Sequence, residues 1–321
     1  MRFTPSSPEV RRSITFLLRL CACLLLVTAC GGEDPPDNRL MLWKATLPEG
    51  NGTAYLLGSI HEAPPDLYPL DKGYMEAFDA ADRIAVEIDI AGTDTAVVTR
   101  QAQELSTLPE GVALSEVIGP DLWQSLRTRL EELGLSHVNL DRLNRLQPLP
   151  VAFMLLTQSL SSVQEERGLG IEAFFLKRAQ EEGMPIDELE GLLYQMELFA
   201  SVPLEQQTRY LAMILEQGQQ KLGESYLSLA DAWREGDLDA VAELVRIERA
   251  SDPALEPFYA TILEGRNPGM TDKVAEFIHQ GYVSLVLVGA AHLHGEFGML
   301  ELLKNRGFRV ERMPALGRPD S

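Results

Sequence analysis

Two apolar runs in this chain end in the same way, and that shared ending restricts the fold more than any other feature. "AYLLGSIHEAPPD" (residues 54–66) and "SLVLVGAAHLHGEFG" (residues 284–298) each read as a buried strand that stops on a glycine, with a histidine three positions later, His61 and His292. Glycine at a strand end allows a sharp turn or a close approach of another group to the backbone. In open α/β sheets, ligands collect at the carboxyl ends of strands. For either histidine alone, a hydrogen-bonded loop histidine is the simpler reading; taken together, the two suggest one composite site.

The pattern along the chain fits such a sheet. "LMLWKATLPEGNGTAYLLGSIH" reads as strand, turn, strand; "LDKGYMEAFDAADR" as a short amphipathic helix; "IAVEIDI" as a third strand. "GPDLWQSLRTRLEELG" predicts a helix capped by Asp121 and stopped at Gly134, and "IEAFFLKRAQEEG" another, followed by a short strand in "MPIDELE". Residues 191–266 have helical periodicity divided by Pro203, Gly236 and Pro253. The C-terminal part returns to helix, strand, helix, strand. The expected class is α/β: a central mixed sheet built from N- and C-terminal segments, flanked by helices, with a helical middle insertion.

The N-terminus reads as a targeting segment, in which four arginines accompany the apolar run "ITFLLRLCACLLLVTA". The sequence Val27, Thr28, Ala29, Cys30 resembles a bacterial lipobox, which implies a signal peptide over residues 1–29 and lipid attachment at Cys30. Residues 30–39 have the composition of a tether. Gly31 after the cysteine favours outer-membrane sorting, so the expectation is a lipid-anchored envelope protein facing the periplasm. Cys21 and Cys23 fall in the leader, so the domain beyond Cys30 has no disulfide, thiolate metal site or cysteine nucleophile. With a net charge of −20 the chain is a poor partner for nucleic acid, and the lipid would do the membrane binding.

The third strand adds a carboxylate. Alternation in "RIAVEIDI" puts Ile84, Val86, Ile88 and Ile90 on one face and Ala85, Glu87 and Asp89 on the other. Either the acids face water, or Glu87 lies at the site, where burial without a partner would be costly. Two imidazoles and a carboxylate are a familiar ligand set for a divalent transition metal. Glu62 and His294 are auxiliary candidates: Glu62 could orient His61, and His294 could add a ligand. His137 and His279 carry no motif.

These segments, together with "ERGLGIEAFFLKRAQEEGMPIDELEGLLYQMELF" and "RNPGMTDKVAEFI", resemble the TraB/GumN family over about residues 40–314. That family is related to the TIKI metalloproteases and, more distantly, to erythromycin esterase and ChaN-like proteins. The resemblance implies His61 and His292 as metal ligands or catalytic histidines, Glu87 as ligand or general base, and Arg266 as a site residue for a carboxylate or oxyanion. It implies a metal-dependent hydrolase, a peptidase foremost, using Mn²⁺, Co²⁺ or Zn²⁺ on a peptide or small-molecule substrate, and the lipobox at Cys30 adds the lipid anchor. The alternatives are a non-catalytic envelope lipoprotein binding a small molecule, peptide or haem, and an esterase-like hydrolase.

Overall fold

A computed structural model describes residues 39–89, 95–163 and 169–319. The leader, Cys30 and most of the tether lie outside these. The sheet has six strands: β1 (Arg39–Thr46), β2 (Thr53–Ser59), β3 (Arg83–Val86), β4 (Ile186–Glu188), β5 (Val283–Gly289) and β6 (Arg309–Pro314). Their order is β4-β3-β5-β2-β1-β6. β4, β3, β5 and β2 are mutually parallel, while β1 runs antiparallel to β2 and β6. The sheet is therefore mixed, and its N- and C-terminal strands interleave, as the sequence led us to expect.

The parallel block explains the apolar runs. β5 sits at its centre, with Leu285 to Val288 wholly buried, because parallel sheets are covered on both faces. β3 is covered on both faces for the same reason, with Ile84, Ala85 and Val86 all inaccessible, which leaves the second of the two readings of Glu87. The strand also ends at Val86, so Glu87 stands at the strand's carboxyl end and not within a half-exposed face.

Helices follow in the order α1 (Lys72–Asp79), α2 (Thr95–Leu105), α3 (Leu114–Glu132), α4 (Leu140–Leu143), α5 (Pro148–Val163), α6 (Ile171–Glu182), α7 (Leu192–Ser201), α8 (Leu204–Arg234), α9 (Leu238–Ser251), α10 (Glu256–Ile262), α11 (Asn267–His279) and α12 (Met299–Asn305). Asp121 does not cap a helix. α3 begins earlier, at Leu114, and is broken at Gly119, whose φ of 80° precedes Pro120. Gly183 ends α6 in the left-handed conformation that glycine adopts without strain.

Two apolar clusters result. One joins the sheet to α1, α6, α11 and α12, and the other gathers α3, α5, the first half of α8, and α10. α8 takes part in both and is kinked at Gly218, whose φ is 71°; Leu222, one turn past the kink, still packs in the second cluster. Its second half is fastened to the sheet by the Trp233 indole, which donates to the Gly58 carbonyl at 2.6 Å. No helix among the described residues is long and apolar enough to cross a membrane.

Candidate active site

Because four strands run parallel, their carboxyl ends lie on one edge, and the residues that follow them converge there. After β3 and β4 the backbones stay in register: Leu189 N–H donates to Val86 O at 2.8 Å, and Glu190 N–H to Glu87 O at 3.2 Å. This delivers two carboxylates, Glu87 and Glu190, side by side. A third polar group comes from the start of α11, where Arg266 and Asn267 immediately precede Pro268.

Arg266 is the hub. Its Nε lies 3.0 and 3.1 Å from the two Glu190 oxygens, and its Nη2 bonds to both Glu87 and Glu190. Its Nη1 reaches the Ile262 carbonyl at 3.3 Å and His292 Nε2 at 3.2 Å. Gln195 Nε2 ties the carboxylates together, donating to Glu190 at 3.1 Å and to Glu87 at 3.4 Å. Gly289 N–H donates to the other Glu87 oxygen at 2.8 Å. With the guanidinium only 7% exposed, these ionic bonds form largely out of water.

The protonation states follow from this packing. Burial pushes the Glu87 carboxyl up, but attraction to His292 and Arg266 and the Gly289 N–H outweigh it and hold the group at about 2. Burial brings His292 down to about 4, against the opposing pull of Glu87. The ring is then neutral near pH 7, so at that pH it is Arg266 and Gly289 that keep Glu87 ionised. One further carboxyl behaves in the opposite way. Burial, and then the charge of Glu87, raise Glu172 to about 7. Glu172 opens α6, where Gly170 packs against the His61 carbonyl so closely that a Cβ there would sit 2.0 Å from the oxygen.

His61, Glu87, Arg266 and His292 all line one cavity of about 470 Å³, walled otherwise by α8 and α9. The structure thus brings together the four principal candidates. It does not bring in the auxiliaries. Glu62 gives its carbonyl to the Tyr226 hydroxyl at 3.3 Å and buries its Oε2 without a hydrogen-bond partner. His294 is 3.2 Å from Asp239 and lines a different cavity. Glu190, Gln195, Asn267 and Glu172 escaped the sequence reading as site residues. A hint was available for one of them, since Asn267 stands beside Arg266 in "RNPG".

The expected metal meets a competing cation. The His292 Nε2 is already engaged by the Arg266 guanidinium, and the two Glu87 oxygens are taken by Arg266 and by the Gly289 N–H. No group of three His, Cys, Asp or Glu side chains among the described residues is placed to hold an ion. In this arrangement the donor set does not fit a bound metal.

The sequence profile of the TraB/PrgY/gumN family matches residues 41–312, nearly the whole described region. The chain belongs to this family. It is also similar to the uncharacterized protein YbaP of Shigella flexneri and to YbaP of Escherichia coli K12. Each is 27% identical over 261 residues, 81% of this chain and 90% of the relative. No solved structure matches. The family match spans all six strands except the ends of β1 and β6, so the site described here lies wholly within the family domain.

Proposed function

We propose that this protein is a lipid-anchored envelope hydrolase that cleaves an ester or amide at the carboxyl edge of its sheet. One observation carries the reading: His61, Glu87, Arg266 and His292, from four separate segments, line a single cavity. The two elements such chemistry needs are a base for water and a positive group for the developing oxyanion. Arg266 supplies the second, provided the substrate oxygen displaces one of the acceptors that now take its Nη1, the Ile262 carbonyl or His292. His61 supplies the first. Its ring is exposed to the cavity, and no side chain holds it among the described residues. His292, neutral and fixed by Asn267, packs the guanidinium into place from the other side.

The test is hydrolysis of chromogenic esters and peptide anilides by the purified protein. His61→Ala and Arg266→Met are expected to lower kcat by at least ~100-fold, as loss of a general base or an oxyanion donor commonly does. Full turnover by both variants would overturn the proposal. A second reading, with a divalent ion, is favoured by His61, His292 and Glu87 sharing the cavity. It requires Arg266 to withdraw from both partners. Metal content of the purified protein, and the effect of Mn²⁺ or Co²⁺ on its unfolding midpoint, distinguish the two. The anchor is tested by radiolabelled fatty-acid incorporation, which Cys30→Ala should abolish.

A further inference from the structure

The cavity has a second polar feature, which the reaction does not use. Its walls are mainly apolar, with Leu222, Leu229, Val241 and Leu244 among the lining residues, yet Glu248 of α9 also lines it. The Tyr259 hydroxyl donates to Glu248 Oε1 at 2.8 Å. Among the described residues no Lys, Arg or His lies within ion-pairing distance of this carboxyl, and no side chain besides Tyr259 bonds it. Its neighbour Arg249 turns away to Glu256 and Glu264. The cavity's other cation besides Arg266, Lys221, is exposed and makes no ion pair with Glu248. A half-buried acid without a counter-charge, in a mainly apolar wall, is costly to keep ionised unless something completes it.

We propose that Glu248 receives a protonated amine of the substrate, so that the cavity selects amphipathic amines. The ammonium would bond Glu248, the apolar body would lie along the leucines and Val241, and the scissile carbonyl would reach Arg266 and His61. This rests on the hydrolase reading only for its last part. Burial holds the Glu248 carboxyl above its ordinary range in the free protein, so a cation that enters also favours its ionisation. A charge-assisted bond formed away from water is both strong and selective. An uncharged group of the same shape would leave the acid uncompensated.

The experiment compares matched probes on the full protein. Hexylamine is expected to bind at least ~10-fold more tightly than 1-hexanol, the ratio expected for a hydrogen bond to a charged group. The 4-nitrophenyl ester of 6-aminohexanoic acid should show a correspondingly lower KM than that of hexanoic acid. Glu248→Gln should bring amine and alcohol to parity. Equal binding of amine and alcohol by the unaltered protein would overturn the proposal, whether or not the variant folds. So would a preference that survives in Glu248→Gln. Amine preference without turnover of either ester would support the role of Glu248 and count against the hydrolase. Turnover of both esters with equal KM would do the reverse.

Discussion

His292 Nδ1 lies 2.6 Å from Asn267 Oδ1, and this contact settles which nitrogen of the ring carries the proton. Asn267 Nδ2 donates to the Phe297 carbonyl at 2.7 Å, so its oxygen must face the ring and accept. Nδ1 is therefore protonated, and Nε2 presents its lone pair to Arg266. An imidazole acceptor and a guanidinium donor can share a buried wall only while the ring stays neutral. Asn267→Asp would set a carboxylate against Nδ1. The His292 titration should then move up from about 4, as followed by NMR. If it stays in place, Asn267 does not govern the ring.

The depressed groups fix the direction of acid sensitivity. The fold prefers His292 neutral, so stability is lost as pH falls from about 6.5 towards about 4. Glu87 is favoured ionised, so its contribution is lost as pH falls from about 4.5 towards about 2. Each shift corresponds to about 3 kcal/mol at most. Glu172 works in the opposite sense and offsets His292 between about 4.5 and 6.5. The net loss is therefore expected mainly below about 4.5, where urea midpoints measured at half-unit steps should drop most steeply.

Glu172 can be isolated from that sum. Its raised carboxyl means that ionisation costs the fold stability as pH rises from about 4.5 through about 7. Glu172→Gln removes the cost. The variant should match the parent near pH 4 and exceed it by about 1–3 kcal/mol at pH 8. A stability difference that does not vary with pH would place the effect in packing and not in charge.

The two strand-end glycines do different jobs, and alanine separates them. A Cβ at Gly58 would come within 2.9 Å of Met41 and 3.1 Å of Ala290 and Leu293, in a wholly packed layer. Gly58→Ala should cost about 1–3 kcal/mol. At Gly289 the nearest atoms are 3.5 Å away, and φ is −50°, so alanine should cost under about 1 kcal/mol. Thermal unfolding of both variants checks the contrast.

Removing the hub leaves two carboxylates with no shared cation. In Arg266→Met, Glu87 should titrate well above about 2, and stability should fall by about 3–5 kcal/mol at pH 7. Much of that loss should be regained near pH 4, where the acids can take up protons. A variant as stable as the parent at pH 7 would show that the ion pairs contribute little.

How much of this could be read from the sequence depended on whether the signal was local. The ends of β2 and β5 announce themselves because a buried parallel strand needs an unbroken apolar run, and each run stops on a glycine followed by His61 or His292. Arg266 and Glu87 came through the family motif. Glu190 and Gln195 did not, since the short strand read in "MPIDELE" carries several acids and nothing in it singles out one of them. What makes Glu190 special is the β3–β4 register, a contact between segments about a hundred residues apart. "EIDI" left two readings open for a related reason: alternation is a rule for half-exposed strands, and β3 is covered on both sides. Asp121 misled only in its role: helix resumes at Pro120 after the non-helical Gly119, so Asp121 lies inside the second part of α3 instead of capping it.

The bend in α8 at Gly218 has a further consequence, for how such a protein can diversify. Beyond the bend, Trp233 moors the helix to Gly58 and so to the strand that carries His61. Before the bend, Tyr210 and Ile214 belong to the helical cluster, and with Gln217 they line the cavity. Both halves face the ligand, since Leu222, Tyr226 and Leu229 line the cavity beyond the bend, but substitutions before it can reshape one wall without touching the mooring at Trp233. Inheritance can thus vary one wall of the cavity while the far end of the same helix stays tied to the sheet edge.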